Sequence, residues 1–124
     1  MKSLKLSIVP ALVLACFCVV DAALAAAPAI HVGDDFRPKS LGCCLGDARF
    51  AMETNKAGRL RSSQSGNVVF GVGQDVSVVV ICEAVNGGVR IPVVAASMDS
   101  ATAARYRNEV RIVAYDAVHF DTCP

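Results

Sequence analysis

The chain has 124 residues, with twelve basic against eleven acidic side chains, no tryptophan, two tyrosines and five phenylalanines. Balanced charge without a basic run leaves no electrostatic argument for nucleic acid or an anionic membrane surface, and so few aromatics make no base-stacking platform. A chain of this length builds one small domain with a modest core.

The N-terminus reads as an address. Lys2 and Lys5 precede an almost unbroken apolar run over residues 6–20, interrupted by Ser7 and Pro10, and Ala23-Leu24-Ala25 follows. A basic start, an apolar run and a small-x-small triplet are the three parts of a secretory signal, with cleavage expected after Ala25. The apolar run falls short of the roughly 20 residues a stable span needs. Val13-Leu14-Ala15-Cys16 loosely matches a lipoprotein box, but Leu14 is bulky there and Phe17-Cys18-Val19-Val20 is no polar tether. The expectation is therefore residues 1–25 as signal peptide and an exported protein, in the periplasm or outside the cell. Losing Lys2, Lys5 and Asp21 leaves basic and acidic residues equal in number.

Residues 26–40 contain Pro28, Gly33, Asp34-Asp35 and Pro38 and read as an extended or irregular lead-in, with Ile30, Val32 and Phe36 able to pack on the domain. Residues 41–124 form the disulfide-bonded domain. Cys44, Ala48, Ala51 and Met52 fall at i, i+4, i+7 and i+8, one face of a helix. Either Ser40 or Asp47 can cap it, and Gly58 is a stop. The polar, serine-rich residues 59–67 read as a loop.

Val68-Val69-Phe70 is a short strand closed by Gly71-Val72-Gly73. These glycines lie between strands rather than before a helix, so they read as a turn and not a phosphate loop. Residues 75–85 form a long β-branched strand, Asn86-Gly87 is a favoured hairpin turn, and residues 89–97 return. With the turn at 86–87, Glu83 lies opposite Arg90, Cys82 opposite Ile91 and Val80 opposite Val93. Asp99 or Ser100 then caps a second helix running to about Asp116, with Ala103, Tyr106, Val110, Val113 and Ala117 as its apolar stripe. Arg105, Arg107, Glu109 and Arg111 fall off the stripe and read as a solvated surface. Residues 118–120 suggest a short edge strand.

These elements predict an α+β fold: a two-layer domain with an antiparallel sheet of three or four strands and two helices packed on it. Val76, Val78, Val80, Cys82, Ile91, Val93 and Ala95 share the hairpin face under the helices. The opposite face carries Val79, Ile81 and Val94 where a solvated sheet should turn polar, which marks an interface. The lead-in, a second subunit or another protein could cover it. Helices on opposite faces of the sheet would be the alternative.

Cys43, Cys44, Cys82 and Cys123 remain after cleavage, an even set that reads as a disulfide framework in an exported domain. A vicinal Cys43–Cys44 bond strains its peptide. Of the other two connectivities, Cys44–Cys82 with Cys43–Cys123 is preferred, because Cys44 lies on the helix stripe and Cys82 on the facing sheet. Each bond closes a long loop, worth about 3–4 kcal/mol in the chain-entropy model. There is no C-x-x-C, and His31 and His119 lack paired ligand spacing, so no metal site or cofactor is expected.

Two stretches together, Val69-Phe70-Gly71 leading into Val78-Val79-Val80-Ile81-Cys82, and Val93-Val94-Ala95-Ala96-Ser97 leading into Arg105-Tyr106-Arg107-Asn108-Glu109-Val110, resemble small exported bacterial proteins of families of unknown function. The resemblance implies the hairpin, the helix after it and export, and carries no catalytic residue. Ser62, Ser63 and Ser65 have no nucleophile-elbow pattern, and His119 with Asp121 is two residues of a triad. The expected function is a non-enzymatic exported protein acting by binding or interaction. The rivals are a metal-binding or thiol-redox protein using Cys43 and Cys44, with His119 as a further candidate, and a small hydrolase or enzyme inhibitor.

Overall fold

The computed structural model describes residues 27–116 together with Cys123. In chain order these residues form β1 (Ala29–Gly33), β2 (Phe36–Arg37), α1 (Leu41–Glu53), β3 (Arg61–Ser65), β4 (Val68–Val72), β5 (Val76–Ile81), β6 (Glu83–Val85), β7 (Gly88–Arg90), β8 (Val93–Ser97) and α2 (Ser100–Asp116). The fold is α+β, as the sequence predicts, with more strands than expected. A five-stranded antiparallel sheet runs β1-β8-β5-β4-β3, and a small three-stranded sheet runs β2-β7-β6.

Both helices pack on one face of the large sheet, which removes the alternative of helices on opposite faces. Val76, Val78 and Val80 of β5, Val93 and Ala95 of β8 and Val69 of β4 are buried against Cys44, Ala48, Ala51 and Met52 of α1 and Val110, Ala114 and Tyr115 of α2. Alternation along each strand assigns the faces, since successive side chains point to opposite sides.

The hairpin register is the expected one, with Val80 opposite Val93 and Glu83 opposite Arg90. Its two halves, however, belong to different sheets. Pro92 has no N–H to offer, and the backbone at the corner finds other partners: Cys82 N donates to Asn67 O at 2.8 Å and Ile91 N to Asp35 O at 2.9 Å. Beyond the corner, β6 and β7 pair with each other and β7 pairs with β2, with Phe36 opposite Arg90.

Local chemistry sets the helix ends. Ser40 caps α1, its side chain accepting from Cys43 N at 3.2 Å, which settles the choice between Ser40 and Asp47. At α2, Asp99 Oδ2 accepts from Thr102 N at 2.9 Å, so Asp99 is the cap and Ser100 the first helical residue. The α1 helix stops at Glu53, before Gly58.

Four expectations change. Residues 26–40 are not irregular throughout, because β1 and β2 lie within them. Residues 59–67 contain β3, an edge strand whose polar sequence suits its single partner and wet flank. Gly71 lies inside β4, not in a turn: a Cβ there would collide with Met52 Sδ and crowd Leu60, so the glycine lets α1 approach the sheet. Arg107 and Arg111 do not simply point to water. Their stems cross Gly33, and Arg107 Nη1 donates to Val32 O at 3.0 Å. Ala117 and the strand expected over residues 118–120 lie outside the described residues, as do residues 1–25.

Candidate functional site

The first turn of α1 places two cysteines side by side, and each finds a different partner. Cys44 and Cys82 are both fully buried, with Cα atoms 6.0 Å apart and sulfurs at disulfide distance. They join the core stripe of α1 to the corner of the hairpin. Cys43 and Cys123 form the second pair, Cα atoms 4.8 Å apart. This is the partition the sequence favoured, and neither Cys43 nor Cys44 pairs with the other.

The two pairs have different surroundings. Cys44 and Cys82 lie in the apolar core cluster. Cys43–Cys123 faces a carboxylate. Asp47 stands one helical turn after Cys43 and is 0 % exposed. Its Oδ2 lies 3.5 Å from Cys43 Sγ, and both carboxylate oxygens lie 3.9 Å from Cys123 Sγ. A disulfide sulfur carries no proton, so in the oxidised protein these are contacts and not hydrogen bonds. A Cys43 thiol would donate to Asp47. Lys39 closes the site: Nζ donates to Asp47 Oδ2 at 2.7 Å and to Ala114 O on α2 at 2.9 Å. The ion pair thus ties the start of α1 to the last turns of α2.

Cys43, Asp47 and Cys123 offer three ligand-type atoms within 4.8 Å of one another. Their sulfurs are bonded to each other, whereas a metal binds thiolates, so the oxidised site is not a metal centre. Cys44, the other cysteine of the metal or redox rival, is not in this group. His31 pairs with Ser100 Oγ at 3.0 Å, and His119 lies outside the described residues.

The second feature is the outward face of the large sheet. The register aligns Val32, Val94, Val79 and Phe70 across four strands, and Ser63 ends the row. A second row runs Ile30, Ala96, Ser77, Val72 and Arg61, and Ile81 lies opposite Val68. Ile30 and Val32 are 62 % and 60 % exposed, and Phe70, Val72 and Ile81 are also exposed. The expected interface residues Val79, Ile81 and Val94 all lie on this face. The lead-in does not cover them. As β1 it joins the sheet edge and extends the apolar face by Ile30 and Val32.

Other polar groups are committed to structure. Asp99 accepts from both the hydroxyl and the N–H of Thr102, which holds its carboxyl below the ordinary range. Asp35 is lowered by the Phe36 N–H and then by Arg37. Burial pushes the Tyr115 phenol up, and its hydroxyl donates to Ile91 O at 3.0 Å. An open groove between the β4–β5 turn and the start of α2 contains Asp75 and Asp99 as its titratable side chains, and Asp99 is occupied with capping. No nucleophile–base–acid set is assembled among the described residues.

No protein-family model matches the chain, and no curated protein or solved structure matches it. No helix among the described residues is long and apolar enough to cross a membrane.

Sequence reasoning missed Asp47 as a site residue because it reads equally well as a helix cap. The usable signal was its i+4 spacing from Cys43. It also missed Ile30 and Val32 on the apolar face, since no pattern linked the lead-in to the sheet, and Phe70 and Val72, since residues 71–73 read as a turn and the strand they belong to had no assigned partner.

Proposed function

We propose that this is an exported protein of the periplasm or cell exterior that acts by protein–protein binding through the open face of its five-stranded sheet. The observation that carries this reading is the uncharged row Val32, Val94, Val79 and Phe70, flanked by exposed Ile30, Val72 and Ile81. Five strands of about five residues span roughly 400 Å² in plan. That is within the size of the largest patch monomers leave open, and such patches are often functional. Two cysteine pairs at disulfide distance are compatible with an oxidising compartment.

The occupant that fits best is a second copy of the chain. The middle of the face has no charge, so self-stacking brings no like charges together. Sheets that pack face to face lie about 10 Å apart with interdigitating side chains, and small β-branched residues suit that geometry. Sedimentation velocity over a concentration series is the test. Reversible dimers that Val79→Lys and Val94→Lys convert to folded monomers are expected. A monomer at every concentration overturns the second copy as occupant.

A further inference from the structure

The two cysteine pairs diverge in everything that governs thiol chemistry. Cys44 and Cys82 are sealed at 0 % exposure in an apolar cluster. Cys123 is half-buried and lies outside every helix and strand, which makes it the most exposed cysteine of the two pairs. Its partner Cys43 is buried at N3 of α1, where the positive end of the helix dipole favours a thiolate. Asp47 stands against both sulfurs of this pair. Structural disulfides do not need a fully buried carboxylate beside them, and burying one is costly without a partner, here Lys39.

We propose that Cys43–Cys123 is an exchangeable dithiol/disulfide couple that reacts with disulfide substrates, with Asp47 as the proton acceptor for Cys43, while Cys44–Cys82 is purely structural. In the reduced couple Cys123, as thiolate, attacks one sulfur of a substrate disulfide. The substrate S–S bond breaks, a mixed disulfide forms at Cys123, and the first substrate thiolate leaves and takes a proton from water. Asp47 then accepts the Cys43 S–H proton. The Cys43 thiolate attacks Cys123 Sγ, the mixed disulfide breaks, and the second substrate thiolate leaves and is protonated by water. Asp47 returns its proton to solvent. Two electrons pass from the cysteine pair to the substrate, which ends as two thiols. The reverse sequence opens the couple with a dithiol.

Asp47 has the position this role requires. It reaches Cys43 Sγ at 3.5 Å, and the Lys39 ammonium fixes its Oδ2. A positioned base of this type contributes on the order of 100-fold to a proton-transfer step. The couple is independent of the sheet face, so it stands or falls apart from the binding function proposed above.

The experiment is pair-resolved thiol mapping of the folded, disulfide-bonded protein. Mild dithiothreitol treatment is followed by alkylation, intact mass and peptide mapping. Cys43 and Cys123 should be labelled at a rate about 10-fold or more above Cys44 and Cys82, without loss of the folded circular-dichroism spectrum. The reduced couple is then mixed with oxidised glutathione. Wild type should close with little mixed disulfide, whereas folded Asp47→Asn should accumulate glutathione on Cys123 and close about 100-fold more slowly. Simultaneous opening of both pairs, or earlier opening of Cys44–Cys82, overturns the couple. Closure of folded Asp47→Asn at the wild-type rate overturns the role of Asp47. Should Asp47→Asn not fold, the labelling order in unmodified protein still decides the couple, and closure in Lys39→Gln, which leaves Asp47 unfixed, decides the proton step: slowing supports it and an unchanged rate overturns it.

Discussion

Asp47 and Lys39 form an ion pair at 2.7 Å in which the carboxylate has no exposure to solvent and the ammonium also holds the Ala114 carbonyl of the second helix. Removing one charge therefore leaves a buried, uncompensated partner. Lys39→Met should destabilise the fold by about 2–3 kcal/mol, at or just below the buried-pair range because the lysine is partly solvated. The double variant Lys39→Met/Asp47→Leu should recover much of that loss. Urea denaturation of the three proteins checks both numbers, and a single variant as stable as wild type would show that the pair is neutral.

The Cys44–Cys82 pair closes a 38-residue separation between α1 and the hairpin corner. Replacing both cysteines by alanine should cost about 3–4 kcal/mol, which is a large share of the stability of a domain this small. A thermal melt that moves by only a degree or two would mean that packing alone holds the corner.

Gly71 lies directly beneath Met52 and Leu60. Gly71→Ala has no room for its methyl group and should destabilise by about 1–3 kcal/mol through overpacking, despite the better strand propensity of alanine. Gly66, which has nothing near its would-be Cβ but has φ of 56°, gives a contrasting case in which strain and not collision sets the cost. Chemical denaturation of Gly71→Ala alone and with Met52→Ala separates the two, because the smaller neighbour should relieve only the Gly71 variant.

Asp99 and Asp35 are both held below the usual carboxylate range, Asp99 by Thr102 and Asp35 by the Phe36 N–H. A depressed folded value means the native state binds fewer protons than the unfolded chain. Their contribution is therefore fully present above the unfolded value near 3.8 and fades as pH falls through the lower folded value. Stability measured by denaturant titration should hold from neutral pH to about pH 4 and decline below it. Asp99→Asn, which keeps a capping oxygen without the charge, should flatten part of that decline.

Much of the scaffold was legible in the sequence because it rests on strong local signals. The Asn86-Gly87 turn with Glu83 and Arg90 facing each other gave the hairpin register, and the Cys44, Ala48, Ala51, Met52 stripe gave the first helix. Edge strands were not legible. β1 and β3 each have one partner: β3 is Arg-Ser-Ser-Gln-Ser with no apolar residue to mark it, and β1, Ala-Ile-His-Val-Gly, lies among Pro28, Gly33 and Pro38, which read as breakers. The hairpin's division between two sheets was also invisible, because it depends on Asp35 and Asn67 accepting from the corner backbone. In the candidate site, the cysteine partners followed from facing apolar stripes. The Asp47–Lys39 pair did not, since the i+4 spacing of Asp47 from Cys43 places it beside that sulfur but gives no sign that Lys39, outside the helix, reaches it.

The neighbouring positions of Cys43 and Cys44 have one more consequence. In an extended chain the two thiols are nearly interchangeable, and an oxidant would join either of them to Cys82 or Cys123. Once α1 winds, successive residues diverge by about 100° around its axis, so one sulfur faces the hairpin corner and the other faces Asp47. The cross-link pattern formed on first oxidation thus reports whether the helix had formed when oxidation happened. Protein oxidised in strong denaturant should be a mixture of isomers, and only the fraction matched to the folded helix should carry the native map.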